Sequence, residues 1–124
     1  MAWLFAEERG ADSAALLRLL DDGEALVPSL WHLEVANALL VAERRRRIAG
    51  EDAARFLDLL ANLPIFTEEV LPTAVEAHAL ARRFDLIAYD AAYLALAART
   101  TLPLATFDAA LRRAATAAGI AVLG

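Results

Sequence analysis

Short apolar runs alternating with helix-forming stretches constrain this chain more than any other feature. Ala25-Leu26-Val27-Pro28, Ile65 to Leu71, Leu102 to Thr106 and Ile120 to Leu123 are the length of buried strands. Between them lie periodic segments. One runs from Ser29 or Leu30 through Val41 to Arg47, closed by Gly50. A second starts at Glu51-Asp52, carries Phe56, Leu57, Leu59 and Leu60, and stops at Asn62 and Pro64. Pro72-Thr73 opens a helix ending near Phe84, Asp85 to Ala88 connects, and Tyr89 to Arg99 and Ala109 to Ala118 follow as helices, with Gly119 as a stop. Strands alternating with helices predict a mostly parallel sheet covered on both faces. Ahead of the first strand, Ala2 to Glu8 reads as the end of a helix. Asp12-Ser13 caps another, with Leu16, Leu17, Leu19 and Leu20 on its apolar side, ending at Gly23.

At 124 residues the chain has the length of one domain, and no repeat or linker divides residues 1–124. Hydrophobic residues at 60% exclude an intrinsically disordered chain. No cysteine is present, which excludes disulfides, thiolate metal sites and cysteine nucleophiles. His32 and His78 are too few for a histidine-built zinc site and read as structural or surface residues. The net charge is −5 and every basic residue is arginine, so nucleic-acid chemistry must come from a local site rather than bulk attraction. No apolar run approaches a membrane span and the start lacks signal-peptide features, so a cytoplasmic protein is expected.

Three carboxylates stand out. Glu34 is the only acid between Glu24 and Glu43, on a helix whose pattern is largely apolar. A buried carboxylate there needs a cation, donors or a proton; a partly exposed glutamate explains it equally. Asn37, one turn on, lies on nearly the same face. Asp90 sits at the start of a helix, and Asp108 follows the strand ending at Thr106. Taken singly, each aspartate is also explained as a helix cap. Together they differ, because helix starts that follow parallel strands collect at the sheet's carboxyl edge, where open α/β folds place their sites. Carboxylates converging there repel one another unless a cation is bound, and all-oxygen ligation suits Mg²⁺ or Mn²⁺. Arg44-Arg45-Arg46-Arg47 reads as a solvated helix end or as a phosphate or partner contact, and Arg82-Arg83 and Arg112-Arg113 as solvated pairs. No Gly-rich phosphate loop and no G-x-S-x-G elbow is present.

At these residues the chain resembles a known family. Val27 to Leu39, containing Glu34 and Asn37, is similar to the second-acid motif of PIN-domain proteins of the VapC toxin type. Tyr89-Asp90-Ala91-Ala92-Tyr93-Leu94-Ala95-Leu96-Ala97 resembles the third-acid motif. Leu102-Pro103-Leu104-Ala105-Thr106-Phe107-Asp108 resembles the strand carrying the fourth. The resemblance implies a three-layer α/β/α sandwich and a Mg²⁺- or Mn²⁺-dependent endoribonuclease acting on RNA as the toxin of a type II toxin–antitoxin pair. It further implies a homodimer neutralised by a VapB-like antitoxin. By matching residues, Glu34, Asp90 and Asp108 would be the catalytic metal ligands, with Thr106 and Asn37 supporting them.

Two departures accompany the resemblance. Ile87 stands where a hydroxyl residue often precedes the Tyr-Asp pair. Ala2-Trp3-Leu4-Phe5 matches the helix after the family's first strand, so that strand and its aspartate are expected to be absent. The alternative function is then a catalytically impaired PIN-fold binding module. The absent strand belongs between Ala25-Val27 and Leu104-Thr106. Without it the sheet interior loses two rows of backbone partners, so the chain should close the gap, borrow a strand or fold poorly.

Overall fold

In a computed structural model, residues 2–5, 23–106 and 108–123 are described. The strands are β1 (Ala2–Phe5), β2 (Ala25–Pro28), β3 (Ile65–Glu68), β4 (Leu104–Thr106) and β5 (Val122–Leu123). The helices are α1 (Leu30–Arg44), α2 (Gly50–Ala61), α3 (Ala74–Phe84), α4 (Ala88–Thr100) and α5 (Ala109–Ala117). All five strands form one sheet in the order β3-β2-β1-β4-β5. The pairs β2–β3 and β4–β5 are parallel, as the helix-linked order requires.

The centre of the sheet corrects the sequence reading. Ala2–Phe5 is a strand, not the end of a helix, and it fills the position expected to stand empty. It runs antiparallel to both neighbours: Leu4 pairs with Leu26 on one side and Leu104 on the other, and Ala2 faces Thr106. Four apolar residues have no period that separates helix from strand. The unpaired rows on β2 and β4 decide the matter, because buried backbone groups must find partners. The expected helix after Asp12 lies outside the described residues.

Since β2 and β4 both oppose β1, the other four strands run one way. Their carboxyl ends, at Pro28, Glu68, Thr106 and Leu123, share one edge. Ser29 N–H donates to the Glu68 carbonyl at 3.1 Å, tying the β2 and β3 ends together. Arg112, expected to be a solvated cation, instead donates from Nη1 to the carbonyls of Thr106 (3.0 Å) and Leu123 (3.2 Å), strapping β4 to β5. Arg83 lies over the Phe84 ring at 5.1 Å rather than standing free.

Helix α4 is the central packing element. Ala91 to Leu94, Leu96 and Ala97 are all buried, so the helix is apolar nearly all round, as a helix against β1, β2 and β4 must be. Val27, Trp31, Val35, Tyr93, Leu94, Leu104 and Leu111 form the core with it. Thr73 opens α3 with a capping box: its Oγ1 accepts from Glu76 N–H at 3.2 Å, and Glu76 Oε1 accepts from Thr73 N–H at 3.1 Å. The α1 C-terminus departs from expectation. Gly50 does not close it but is the first residue of α2, and α1 ends at Arg44. Arg46 N–H donates to the Glu43 carbonyl and Arg47 N–H to the Ala42 carbonyl, both at 2.9 Å, with Arg46 at φ 57°. This is a Schellman turn with arginine where glycine is usual, a backbone cost of about 1–2 kcal/mol.

Candidate acidic site at the carboxyl edge of the sheet

Each carboxylate reaches the edge by a different local route. Glu34 lies in the second turn of α1, which leaves β2 through Ser29. Asp108 follows β4 after Thr106, and Asp90 lies in the first turn of α4. Burial grades them: Glu34 and Asp90 are half-buried and Asp108 is exposed.

Tyr93 fixes Glu34. Its ring is fully buried, and its hydroxyl donates to Glu34 Oε1, linking α4 to α1. This residue was missed from the sequence; the available signal was a tyrosine three positions after Asp90 in an otherwise aliphatic helix. Thr106, 2% exposed, accepts from Asp108 N–H at 3.1 Å through Oγ1. Asp108 Oδ2 accepts from Leu111 N–H at 2.9 Å, so Asp108 caps α5. One of its oxygens is used in this way, and Oδ1 has no partner among the described residues. Asn37 is exposed and makes no side-chain hydrogen bond among the described residues. His32 Nε2 lies 2.8 Å from Thr67 Oγ1 and the ring packs edge-on to Trp31, tying α1 to β3, which is a structural role.

Asp90 is the anomalous member. It makes no hydrogen bond or ion pair among the described residues, and burial pushes its carboxyl above the ordinary range. The Asp108 and Glu34 carboxylates push it further in the same direction. A helix-capping aspartate is stabilised as the anion, which is the opposite behaviour. Both other acids therefore act on Asp90 across the edge. The three are not drawn into a closed shell: among the described residues no three Asp, Glu or His side chains are grouped to hold one ion. Their chemistry still fits a hard divalent cation, because a half-buried carboxylate raised by two others is what such a cation relieves.

The profile described as PIN domain matches residues 1–117, a span holding β1 to β4, α1 to α5 and all three carboxylates. A comparison with curated proteins gives no match. Membership of that family points to nuclease-type, generally metal-dependent chemistry at the acidic edge. With the match covering nearly the whole chain and the acids collected where an open α/β sheet places its site, this chain belongs to the PIN-domain family.

Proposed function

We propose that the protein is a metal-dependent endoribonuclease and the toxin of a type II toxin–antitoxin pair. The observation that carries this reading is the half-buried Asp90 carboxyl, raised by burial and by the Asp108 and Glu34 carboxylates, with no hydrogen bond or ion pair among the described residues. Glu34, Asp90 and Asp108 would hold Mg²⁺ or Mn²⁺. Such an ion, when bound, supplies water activation and neutralises the leaving oxygen of a phosphodiester. The chain's own residues prepare the site. Tyr93 orients Glu34, Thr106 fixes the backbone of Asp108, and the α5 cap holds Asp108 in place. Asn37 would bind water or the RNA beside Glu34.

A VapB-like antitoxin and a second copy of the chain complete the proposal. Support comes from large apolar side chains left at the surface, including Leu33 (75% exposed) on α1, Leu59 (66%) on α2 and Val75 (79%) on α3. Among the described residues no helix is long and apolar enough to cross a membrane, which agrees with action in the cytoplasm.

The second reading, a PIN-fold binding module without nuclease activity, is favoured by the separation of the three acids. One assay separates the two. Purified protein should cleave single-stranded RNA with Mn²⁺, and not with chelator. Asp90→Asn and Asp108→Asn should each lower the rate by roughly a hundredfold or more, as expected when a group that stabilises developing charge is removed. RNA left intact by the native chain at any Mn²⁺ concentration selects the binding module.

A further inference from the structure

Arg44, Arg45, Arg46 and Arg47 hold four of the chain's 12 cationic side chains, all four exposed, in a protein of net charge −5. None makes an ion pair among the described residues. Arg55 is engaged with Asp52 at 2.5 Å, Arg99 with Glu68 at 3.5 Å and Arg112 with two carbonyls, while Arg82 and Arg113 are exposed singly on other helices. The helix dipole rewards a cation in the last turn, which accounts for Arg44 but not for three more beyond it. The backbone strengthens the point. Arg46 holds a left-handed conformation (φ 57°) that glycine would adopt freely, in a turn fixed by three main-chain bonds, from Arg45, Arg46 and Arg47 to Val41, Glu43 and Ala42. The turn therefore holds the arginines at fixed backbone positions; the same left-handed conformation is taken by Asp85 after α3 and Thr101 after α4.

Placement says what would bind. The patch and the acidic site are carried by the same helix. Ten residues separate Glu34 from Arg44, about 15 Å along the α1 axis at the standard rise. A polyanion long enough to contact both is a nucleic-acid strand, which can lie over several phosphates between the two. We infer that Arg44–Arg47 is a phosphate-backbone clamp for RNA, holding the strand about 15 Å along α1 from Glu34. This rests on the ribonuclease reading for its choice of RNA, but not for the existence of the clamp. Guanidinium groups suit it, since their planar fork matches phosphate oxygens. Backbone contacts position a strand without reading its sequence, so the clamp sets affinity and register rather than target choice.

The test is salt-dependent binding of a fluorescent single-stranded oligoribonucleotide, followed by anisotropy in chelator so that nothing is cleaved. Each lost phosphate contact lowers the slope of log affinity against log salt by about 0.7 for a single strand. Replacing all four residues with glutamine (Arg44→Gln, Arg45→Gln, Arg46→Gln, Arg47→Gln) should lower that slope by about 2–3 and weaken binding at low salt by roughly tenfold or more. Arg46→Gly keeps the fold secure, since it relieves the backbone. It should raise Tm yet still lower the slope by close to one contact, an outcome that a purely structural arginine would not give. Unchanged slopes in both variants, or no RNA binding by the native chain, would overturn the clamp. An acidic protein segment would then be the alternative occupant. Cleavage with Mn²⁺, measured in parallel, reports on the nuclease reading separately: a lowered slope without cleavage keeps the clamp and removes the nuclease.

Discussion

Asp90 shows how a single carboxyl can reveal what its surroundings are built for. In the folded chain it holds its proton more tightly than in the unfolded chain, because it is half-buried and faces Asp108 and Glu34. A group whose folded pKa is raised weakens the fold as pH climbs through that pKa. The penalty is full at neutral pH and absent once the pH falls below the ordinary carboxyl range. In chelator, Asp90→Asn should therefore have the higher Tm at pH 7, by a few degrees at most, given its partial exposure. The gain should vanish as the pH falls toward that range. Equal melting curves at pH 7 would show that the neighbouring acids do not matter to it. Tyr93 is the complement, a buried residue whose hydroxyl holds Glu34 in place. Tyr93→Phe should keep the fold and cost roughly 1–3 kcal/mol in urea unfolding, the range for a lost hydrogen bond to a charged acceptor. An unchanged midpoint would reduce that contact to a passive one.

At the scale of elements, β1 carries the sheet. Its ladder serves β2 on one side and β4 on the other, and Leu4 is paired with both. Proline at this position removes the N–H and clashes in a central strand, so Leu4→Pro should cost about 3 kcal/mol or more by chemical denaturation. A native-like midpoint would mean that residues 2–5 do not hold the sheet together. This is also where the sequence was least readable. The alternation of short apolar runs with capped helices made β2 to β5 and α1 to α5 legible to within a few residues, because Thr73, Asn62, Pro64 and Gly119 punctuate them. Ala2-Trp3-Leu4-Phe5 carries no such punctuation, and its state is set by partners 20 or more residues away. The α1 terminus misled for a related reason: Gly50 is the expected stop, yet arginine takes the left-handed turn at position 46. The candidate acids were legible as outliers in apolar surroundings and as motif matches. Their supports were less so. Thr106 was expected from the motif, whereas the Tyr93 hydrogen bond spans 59 positions and follows only from packing.

Among the described residues, Glu34, Asp90 and Asp108 lie at the carboxyl edge of the sheet, and four consecutive exposed arginines stand at the far end of α1. A chain of net charge −5 has no general attraction for nucleic acid, so contact must come from such local charge. The central claim is that Glu34, Asp90 and Asp108 together bind one divalent cation. Calorimetric titration of the native chain and of Asp90→Asn with Mn²⁺ tests it most directly. The account predicts one site per chain in the native protein, accompanied by a Tm that rises with Mn²⁺ as binding to the folded state requires, and at least a tenfold loss of affinity in the variant. Equal Mn²⁺ affinity in the two proteins, or no binding to either, would contradict it.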